Sequence, residues 1–262
     1  MESIADQQVK DFITEAEDVS GEARLSNISP YVTSKFSRFV NDTTLRRIIG
    51  QSRSSINFEN IMEDGKILFL KLGKGRFGSE VSALLANMIV AKFKFAAMKR
   101  GEKPAASRRD FYLYVDEAHN LPQSNFTELL SEARKYRLGL ILSTQYCSQL
   151  GDVNGRQSND LLSSILGNVG TTIVFRTGMT DAEHLAKGLY PYFRQQDIIN
   201  LPNFHGYARM NIANNAVRPF SFHTELCDVP KDEELGKLIW ANSRMKYGKK
   251  AREVDMDIRL RD

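Results

Sequence analysis

The stretch from Phe111 to Gln145 constrains the fold of this chain more than any other. An apolar run at 111–116 ends in two adjacent carboxylates, Asp116 and Glu117, and a second apolar run at 139–144 ends in Ser-Thr before Gln145. A helical stretch separates the two runs. Two buried strands joined by a helix form a parallel crossover unit, which brings the residues behind both strands to one edge of a sheet.

The same alternation of strand and helix extends along most of the chain, which indicates an α/β fold with a doubly wound, mainly parallel sheet. After residue 200 the pattern changes to two alternating segments, 205–212 and 217–224, which predict an antiparallel pair at the sheet edge. The elements predicted before that pair are strand 65–72, helix 79–100, strand 111–116, helix 126–137, strand 139–144, helix 158–166, strand 170–175 and helix 181–188.

The remaining segments are predicted to be helical extensions of this core. We expect a helical N-terminal extension over residues 1–60, with a peripheral helix in 1–25 and with Phe36 and Phe39 packed on the core. The core itself is expected over 61–228. Residues 229–262 are predicted to form an amphipathic helix and a basic, solvated tail.

Composition narrows the class of protein. A chain of 262 residues can bury one large core, and a net charge of +4 permits nucleic-acid contact without requiring it. No apolar stretch approaches the roughly 20 residues of a membrane span, and the acidic N-terminus lacks the apolar region of a signal peptide. Cys147 and Cys227 have neither metal-ligand spacing nor a disulfide framework. We therefore expect a cytoplasmic protein without a transmembrane segment.

The strand ends at Asp116, Glu117 and Gln145 predict the chemistry of nucleotide hydrolysis. In such sites the first acid holds hydrated Mg²⁺, the second polarises the attacking water, and a polar residue on the neighbouring strand senses the γ-phosphate. The alternative is that the two acids only cap the following helix. His119 completes an Asp-Glu-Ala-His sequence, but the other motifs of helicases with that box are missing, so we interpret it as a loop residue.

Arg134 lies in the basic end of the helix between the two strands. One interpretation is an arginine finger that is presented to the nucleotide of a neighbouring subunit. The other is a solvated helix C-terminus, where cations interact favourably with the helix dipole. The sequence alone leaves both open.

The phosphate-binding loop that such a site requires is not found. Residues 73–78 match the first six positions of a P-loop, but Ser79 and Glu80 stand where Lys and Ser or Thr belong. The phosphate-binding lysine is thus missing, and the carboxylate of Glu80 next to its position would repel a triphosphate. We interpret this segment as a strand-to-helix turn; the alternative is anion contact through Lys74 and Arg76.

A longer ordered series of residues resembles the C-terminal part of the HerA/FtsK-superfamily ATPases, in the branch of TraG/TraD-type conjugative coupling proteins. The resemblance covers roughly residues 40–190. The series is Leu45–Gln51, Asn57-Phe58, Ile61-Met62, Gly65–Leu68, Leu72–Gly75, Gly78, Arg109–Glu117, Leu130–Leu138, Gln145-Tyr146, Gln149-Leu150, Gly167–Gly170, Phe175-Arg176, Asp181-Ala182 and Leu185–Lys187.

This resemblance implies a RecA-like core in hexameric rings that move DNA with ATP and Mg²⁺, in conjugation or type IV secretion. It gives Asp116 and Glu117 the Walker B roles, with Asp116 as the metal ligand, and Gln145 the sensor role. Arg134 takes the best arginine-finger position, and Arg176 is a nucleotide-sensor or interface candidate.

The chain departs from the family pattern because the P-loop and its strand lie upstream of the matching segment. Three explanations are open: a fragment of a longer ATPase, half of a split enzyme, or a binding module that no longer turns over. The leading hypothesis is the C-terminal ATPase segment of a DNA-translocating motor, active only with a P-loop supplied elsewhere. The alternatives are a non-enzymatic module that assembles with a P-loop ATPase, and a DNA-binding subunit.

Overall fold

The computed structural model describes residues 41–120, 129–150, 152–153, 156–157, 159–213 and 215–261. The helix expected in residues 1–25 and the core positions Phe36 and Phe39 lie outside these ranges. The described residues fall into two compact units. One contains residues 57–231, and the other joins the residues up to Ile56 to those from Asp232 onward.

Helices and strands alternate through the larger unit, whereas the smaller one is helical. The helices are α1 (Thr43–Ile49), α2 (Phe58–Glu63), α3 (Lys74–Lys99), α4 (Asn159–Asn168), α5 (Met179–Leu189), α6 (Gln195–Ile199), α7 (Glu233–Tyr247) and α8 (Ala251–Arg259). The strands are β1 (Phe111–Val115), β2 (Leu138–Leu142), β3 (Asp152–Val153), β4 (Arg156–Gln157), β5 (Thr171–Val174), β6 (His205–Ile212), β7 (Asn215–Ala216) and β8 (Phe220–His223).

The central pair of strands is parallel, as the sequence predicts. β1 and β2 pair in register from Phe111 opposite Leu138 to Val115 opposite Leu142. The described end of the intervening predicted helix is helical over 129–132 and then tightens into a 3₁₀ turn, Ala133–Tyr136. This turn delivers the chain directly to β2.

The prediction of a single, mainly parallel sheet is wrong for the described residues. β5 pairs antiparallel with β6 rather than parallel with β2, and β6 pairs antiparallel with both β7 and β8. The predicted antiparallel pair of 205–212 and 217–224 is confirmed by the β6–β8 ladder. Hydrophobic pattern alone carries no information on strand direction, so it does not distinguish a strand of the parallel pair from β5, which pairs antiparallel with β6.

The predicted strand 65–72 does not form in the described part of the chain. Residues 66–73 have no regular secondary structure, and the side chains of Ile67 and Phe69 are 83% and 90% exposed. A strand exists only through its ladder, so an apolar extended sequence without a hydrogen-bonding neighbour remains irregular.

Helix α3 contacts β1 through an aromatic pair. Phe93 is 2% exposed, and its ring stacks on Phe111 at a centroid distance of 5.5 Å and meets Phe58 edge-on at 4.9 Å. Gly78, with a positive φ of 77°, breaks the helical path near its start. The aromatic stack fixes α2 and α3 on the sheet.

One helix among the described residues, Gly78–Glu102, is long and apolar enough by length and composition to cross a membrane. The sequence-based statement that no stretch approaches this length is therefore corrected, because the charged residues of the helix are few and widely spaced. The same two criteria are met by core helices of soluble proteins, and a third of the apolar window is buried. The finding by itself is weak evidence for a span.

A bidentate ion pair joins α1 to α8 in the smaller unit, and each of these helices has a buried apolar residue. Arg47 donates from Nε and Nη2 to the two carboxylate oxygens of Asp255, each at 2.8 Å, and this hydrogen bonding lowers the pKa of Asp255. Leu45 on α1 and Val254 on α8 are buried. Part of the predicted solvated tail is thus the ordered helix α8.

Candidate nucleotide-hydrolysis site

The carboxyl ends of β1 and β2 are joined by backbone and side-chain hydrogen bonds. The Ser143 amide donates to the carbonyl of Val115 at 3.0 Å, and the Ala118 amide donates to the carbonyl of Ser143 at 2.9 Å. The Ser143 hydroxyl donates to Oδ1 of Asp116 at 2.5 Å. Asp116 is therefore fixed between the two strand ends.

Glu117 occupies a left-handed backbone conformation, with φ at 52°. Its amide donates to Oδ1 of Asp116 at 3.0 Å, and its carbonyl accepts from the side chain of Asn120 at 3.0 Å. The turn that results directs the chain away from the sheet immediately after β1. It leaves the carboxylate of Glu117 next to the end of β2.

Gln145 is within hydrogen-bonding distance of Glu117, as their spacing in the sequence suggests. The Gln145 amide donates from Nε2 to Oε1 of Glu117 at 2.8 Å. The two residues come from neighbouring strand ends, 28 positions apart in the chain. An acid that can polarise water and an amide that can sense its surroundings thus lie in direct contact.

His119, which sequence analysis assigned to a loop without a role, lies in the same cluster. It sits in the 3₁₀ turn Ala118–Asn120, its side chain is 15% exposed, and its Nε2 is 3.3 Å from Oε2 of Glu117. Its Nδ1 is 3.4 Å from the hydroxyl of Thr144. Gln145 and His119 therefore approach different oxygens of Glu117. The Asp-Glu-Ala-His sequence at 116–119 is the signal in the sequence that could have indicated the contact between His119 and Glu117.

Lys74 brings a positive charge to the edge of the cluster. Its Nζ donates to Oδ1 of Asn120 at 2.9 Å, and Asn120 in turn contacts the carbonyl of Glu117. Lys74 is the first residue of α3. The N-cap residue of this helix, Gly73, provides no side-chain capping hydrogen bond. The segment rejected as a P-loop is thus a helix start, and its lysine faces the strand ends.

A buried carboxylate anchors the segment that follows Gln145. Asp181 is 6% exposed and accepts a hydrogen bond from the Cys147 amide at 2.8 Å through Oδ2. Burial, with a smaller contribution from Asp181, raises the pKa of the Cys147 thiol to about 11. Because Asp181 belongs to α5, the segment that follows Gln145 is tied to a helix of the antiparallel half.

Neither Arg134 nor Arg176 lies at the strand ends that carry Asp116 and Glu117. Arg134 is exposed in the 3₁₀ turn that precedes β2, so it lies at the opposite end of a strand whose length is roughly 16 Å. Arg176 follows β5 and donates to Asn203 at 2.9 Å. A role for Arg134 toward Glu117 of the same chain does not fit this position.

The donor set fits the magnesium side of a hydrolysis site. Mg²⁺ is usually held by one or two carboxylates with several waters and substrate oxygens, and the Asp116 carboxylate beside the Ser143 hydroxyl provides such a partner. The described residues contain no group of three or more His, Cys, Asp or Glu side chains suited to a metal. The glycine-rich segment 73–78 is followed by Ser79 and Glu80 rather than by the Lys and Ser or Thr of a P-loop, so the fit extends to the metal and water and not to the phosphates.

Comparison with known proteins gives a family match and a fold match. Residues 110–189 match the family model described as "TraM recognition site of TraD and TraG". No curated protein matches the chain in sequence.

Three similar solved structures are all forms of one coupling protein. The unbound "bacterial conjugative coupling protein TrwBdeltaN70" is 18% identical, with a TM-score of 0.59, over 86% of this chain and 57% of that one. "Plasmid coupling protein TrwB in complex with ADP and Mg2+" is 20% identical, with a TM-score of 0.63, over 87% and 56%. The complex with the GTP analogue GDPNP is 19% identical, with a TM-score of 0.61, over 86% and 56%.

The TM-scores show a shared fold, and the chain spans little more than half the length of the coupling protein that it matches. The predicted resemblance is confirmed by the family model within residues 110–189 and by the fold over most of the chain. The chain is therefore similar to the C-terminal part of the TraG/TraD-type conjugative coupling proteins.

Proposed function

We propose that this chain is the C-terminal ATPase segment of a HerA/FtsK-type motor that moves DNA in conjugation or type IV secretion. The observation that carries the proposal is the contact between Gln145 and Glu117, 2.8 Å apart, beside Asp116 at the carboxyl ends of two parallel strands. Ligands of open α/β sheets bind outside this end of the strands. The family match and the likeness to a coupling protein solved with ADP and Mg²⁺ support it.

Each residue of the cluster has a distinct proposed role. Asp116 holds hydrated Mg²⁺ and is itself held by the Ser143 hydroxyl. Glu117 orients and polarises the attacking water, and Gln145 reports the state of that carboxylate to the segment behind β2. Bound ATP supplies the phosphoryl group, and this chain provides the acid and the sensor.

A P-loop from another segment or subunit completes the site. One face of the parallel pair is uncovered, since Tyr112 and Tyr114 are 59% and 73% exposed, as is the apolar segment with Ile67 and Phe69. Parallel sheets are normally buried on both faces, so this surface fits a core whose other half is supplied elsewhere. The span of about half of the solved relatives agrees with that.

We further propose that such segments form a ring in the cytoplasm, and this ring determines the roles of Arg134 and Arg176. We place Arg134 at the neighbouring subunit's nucleotide, because it lies at the opposite end of β2 from its own chain's acids. Arg176 is assigned to a nucleotide sensor or an interface. The proposed division is an extension over 1–60, the core over 61–228 and a C-terminal helix and tail over 229–262, with DNA as the substrate of the ring.

The test is ATP hydrolysis by the purified chain and by its complex with a segment that carries a Gly-Lys-Ser/Thr loop. The chain alone is expected to show negligible turnover. In the complex, Glu117→Gln is expected to lower kcat by roughly 10²–10⁴, because a general base is lost. Glu183→Gln, which neutralises an exposed carboxylate on α5, is the matched control and leaves kcat unchanged. Robust hydrolysis by the chain alone would refute the requirement for a second segment.

A second candidate is a non-enzymatic module that activates a P-loop ATPase from outside. The exposed position of Arg134, away from its own acids, favours this version. It predicts that Arg134→Ala abolishes stimulation of the partner while Glu117→Gln has no effect. Salt-sensitive binding of DNA without nucleotide, lost with the exposed arginines Arg46 and Arg53, would instead identify a DNA-binding subunit.

A further inference from the structure

A cleft of about 510 Å³ lies between α4 and α5, above the antiparallel sheet and away from the acid cluster. Its walls are mainly leucines: Leu162 and Leu166 come from α4, and Leu185 and Leu189 come from α5. Thr172 of β5 and a side chain of β6 form its floor. The volume accommodates a few side chains of a ligand and not a folded domain.

Positively charged and hydrogen-bonding groups border these leucines. His184 and Lys187 lie one helical turn apart on α5, and Arg209 faces them from β6. Within the described part of the chain, none of these three side chains makes a hydrogen bond or an ion pair, and no Asp or Glu lines the cleft. The cleft therefore combines an apolar wall with positive charge that no described neighbour neutralises.

Two glycines, Gly167 and Gly188, line the cleft. A Cβ added to Gly188 would come within 3.2 Å of Nη1 of Arg209, so the absence of a side chain lets the guanidinium lie against α5. A Cβ added to exposed Gly167, on the opposite helix, would meet nothing within 4 Å. A side chain at Gly167 would project into unoccupied space at the cleft.

We propose that this cleft binds an acidic peptide segment of a partner protein, with an aliphatic or aromatic side chain inserted among the leucines and neighbouring carboxylates on Lys187 and Arg209. Charge complementarity selects the acid, and the leucine walls select the apolar anchor. Nucleic acid is the poorer match, because a phosphate backbone gains nothing from the leucines. The proposal is independent of ATP hydrolysis.

The test uses a random peptide display library, selected on the intact chain. Binders that also bind the Gly167→Trp variant are removed, because an indole on this cleft-lining residue adds bulk at the cleft without disturbing an ion pair. The expected enrichment is for peptides that place Asp or Glu beside Leu, Ile or Phe. Enrichment of peptides without acids, or no cleft-dependent enrichment at all, would overturn the proposal.

The enriched peptide is then synthesised with a fluorophore, and its affinity is measured by anisotropy. Lys187→Ala and Arg209→Gln are each expected to weaken binding by roughly tenfold or more, because each loses a charged hydrogen bond. Lys231→Ala removes the same charge at an exposed site outside the cleft and leaves the affinity unchanged. Equal losses in all three variants, or competition by single-stranded DNA at the cleft, would reject a specific peptide site.

Discussion

Arg100 is expected to contribute more to stability than any exposed ion pair in the described residues, because it is a buried charge with three partners. Its side chain is 2% exposed. It donates to the carboxylate of Glu63 at 2.8 Å, to the carbonyl of Arg109 at 2.9 Å and to the carbonyl of Tyr136 at 3.1 Å. It therefore ties the end of α3 to the residues that precede both β1 and β2.

The magnitude for Arg100→Met follows from these contacts. Breaking a buried ion pair costs about 3–5 kcal/mol. Glu63 is 27% exposed and keeps a second cation, Lys103, at 2.8 Å. Its carboxylate therefore still has a partner of opposite charge in the variant, and the lower end of this energy range applies. We expect a loss of about 3 kcal/mol, part of it from two carbonyls left without a charged donor.

Urea unfolding measures this loss. With an m-value of about 2–3 kcal/mol/M, Arg100→Met should lower the midpoint by roughly 1 M. Lys103→Met removes the other cation from Glu63, but that lysine is 50% exposed, so its effect should stay below about 1 kcal/mol. If the two variants shift the midpoint equally, the reasoning about the buried guanidinium is refuted.

Two further predictions concern titrating groups. Hydrogen bonds and charge from Lys103 and Arg100 lower the folded-state pKa of Glu63, so its stabilising effect is present above the unfolded pKa near 4.3 and is lost as pH falls through the lower folded value. The difference in urea midpoint between the wild type and Glu63→Gln should therefore shrink below about pH 4.5, and a constant difference down to pH 3 would contradict this. Cys147, with a pKa of about 11, carries roughly 200-fold less thiolate at pH 8 than an ordinary cysteine. The greater nucleophilicity of that thiolate offsets part of this, and iodoacetamide should label Cys147 at least roughly tenfold more slowly than exposed Cys227, as measured by peptide mapping. Equal rates would show that the thiol is not desolvated.

The central elements of the fold were predictable because their signals are local. The apolar run before Asp116 and the run before Gln145 each specify a strand, and their separation by a helical segment specifies parallel pairing. Strand ends of a parallel pair share an edge, so the proximity of Glu117 and Gln145 was predictable too. These inferences need no information about distant parts of the chain.

The features that the sequence did not reveal depend on partners. The run 65–72 has strand composition, but strand formation requires a neighbour, and no described segment provides one. β5 resembles a parallel strand until β6 pairs with it in the opposite direction. The contact of His119 with Glu117 depends on the 3₁₀ turn that follows β1. Such a short turn has no hydrophobic periodicity from which it could be predicted.

The left-handed backbone of Glu117 places stability and the proposed catalytic role in opposition at one position. A residue with a side chain is strained at a φ of 52° by about 1 kcal/mol relative to glycine, which adopts it freely. Selection for a more stable variant would therefore favour Glu117→Gly, and the variant would lose the carboxylate that Gln145 contacts. Stability screens of this chain should treat an improvement at residue 117 as a warning of lost activity.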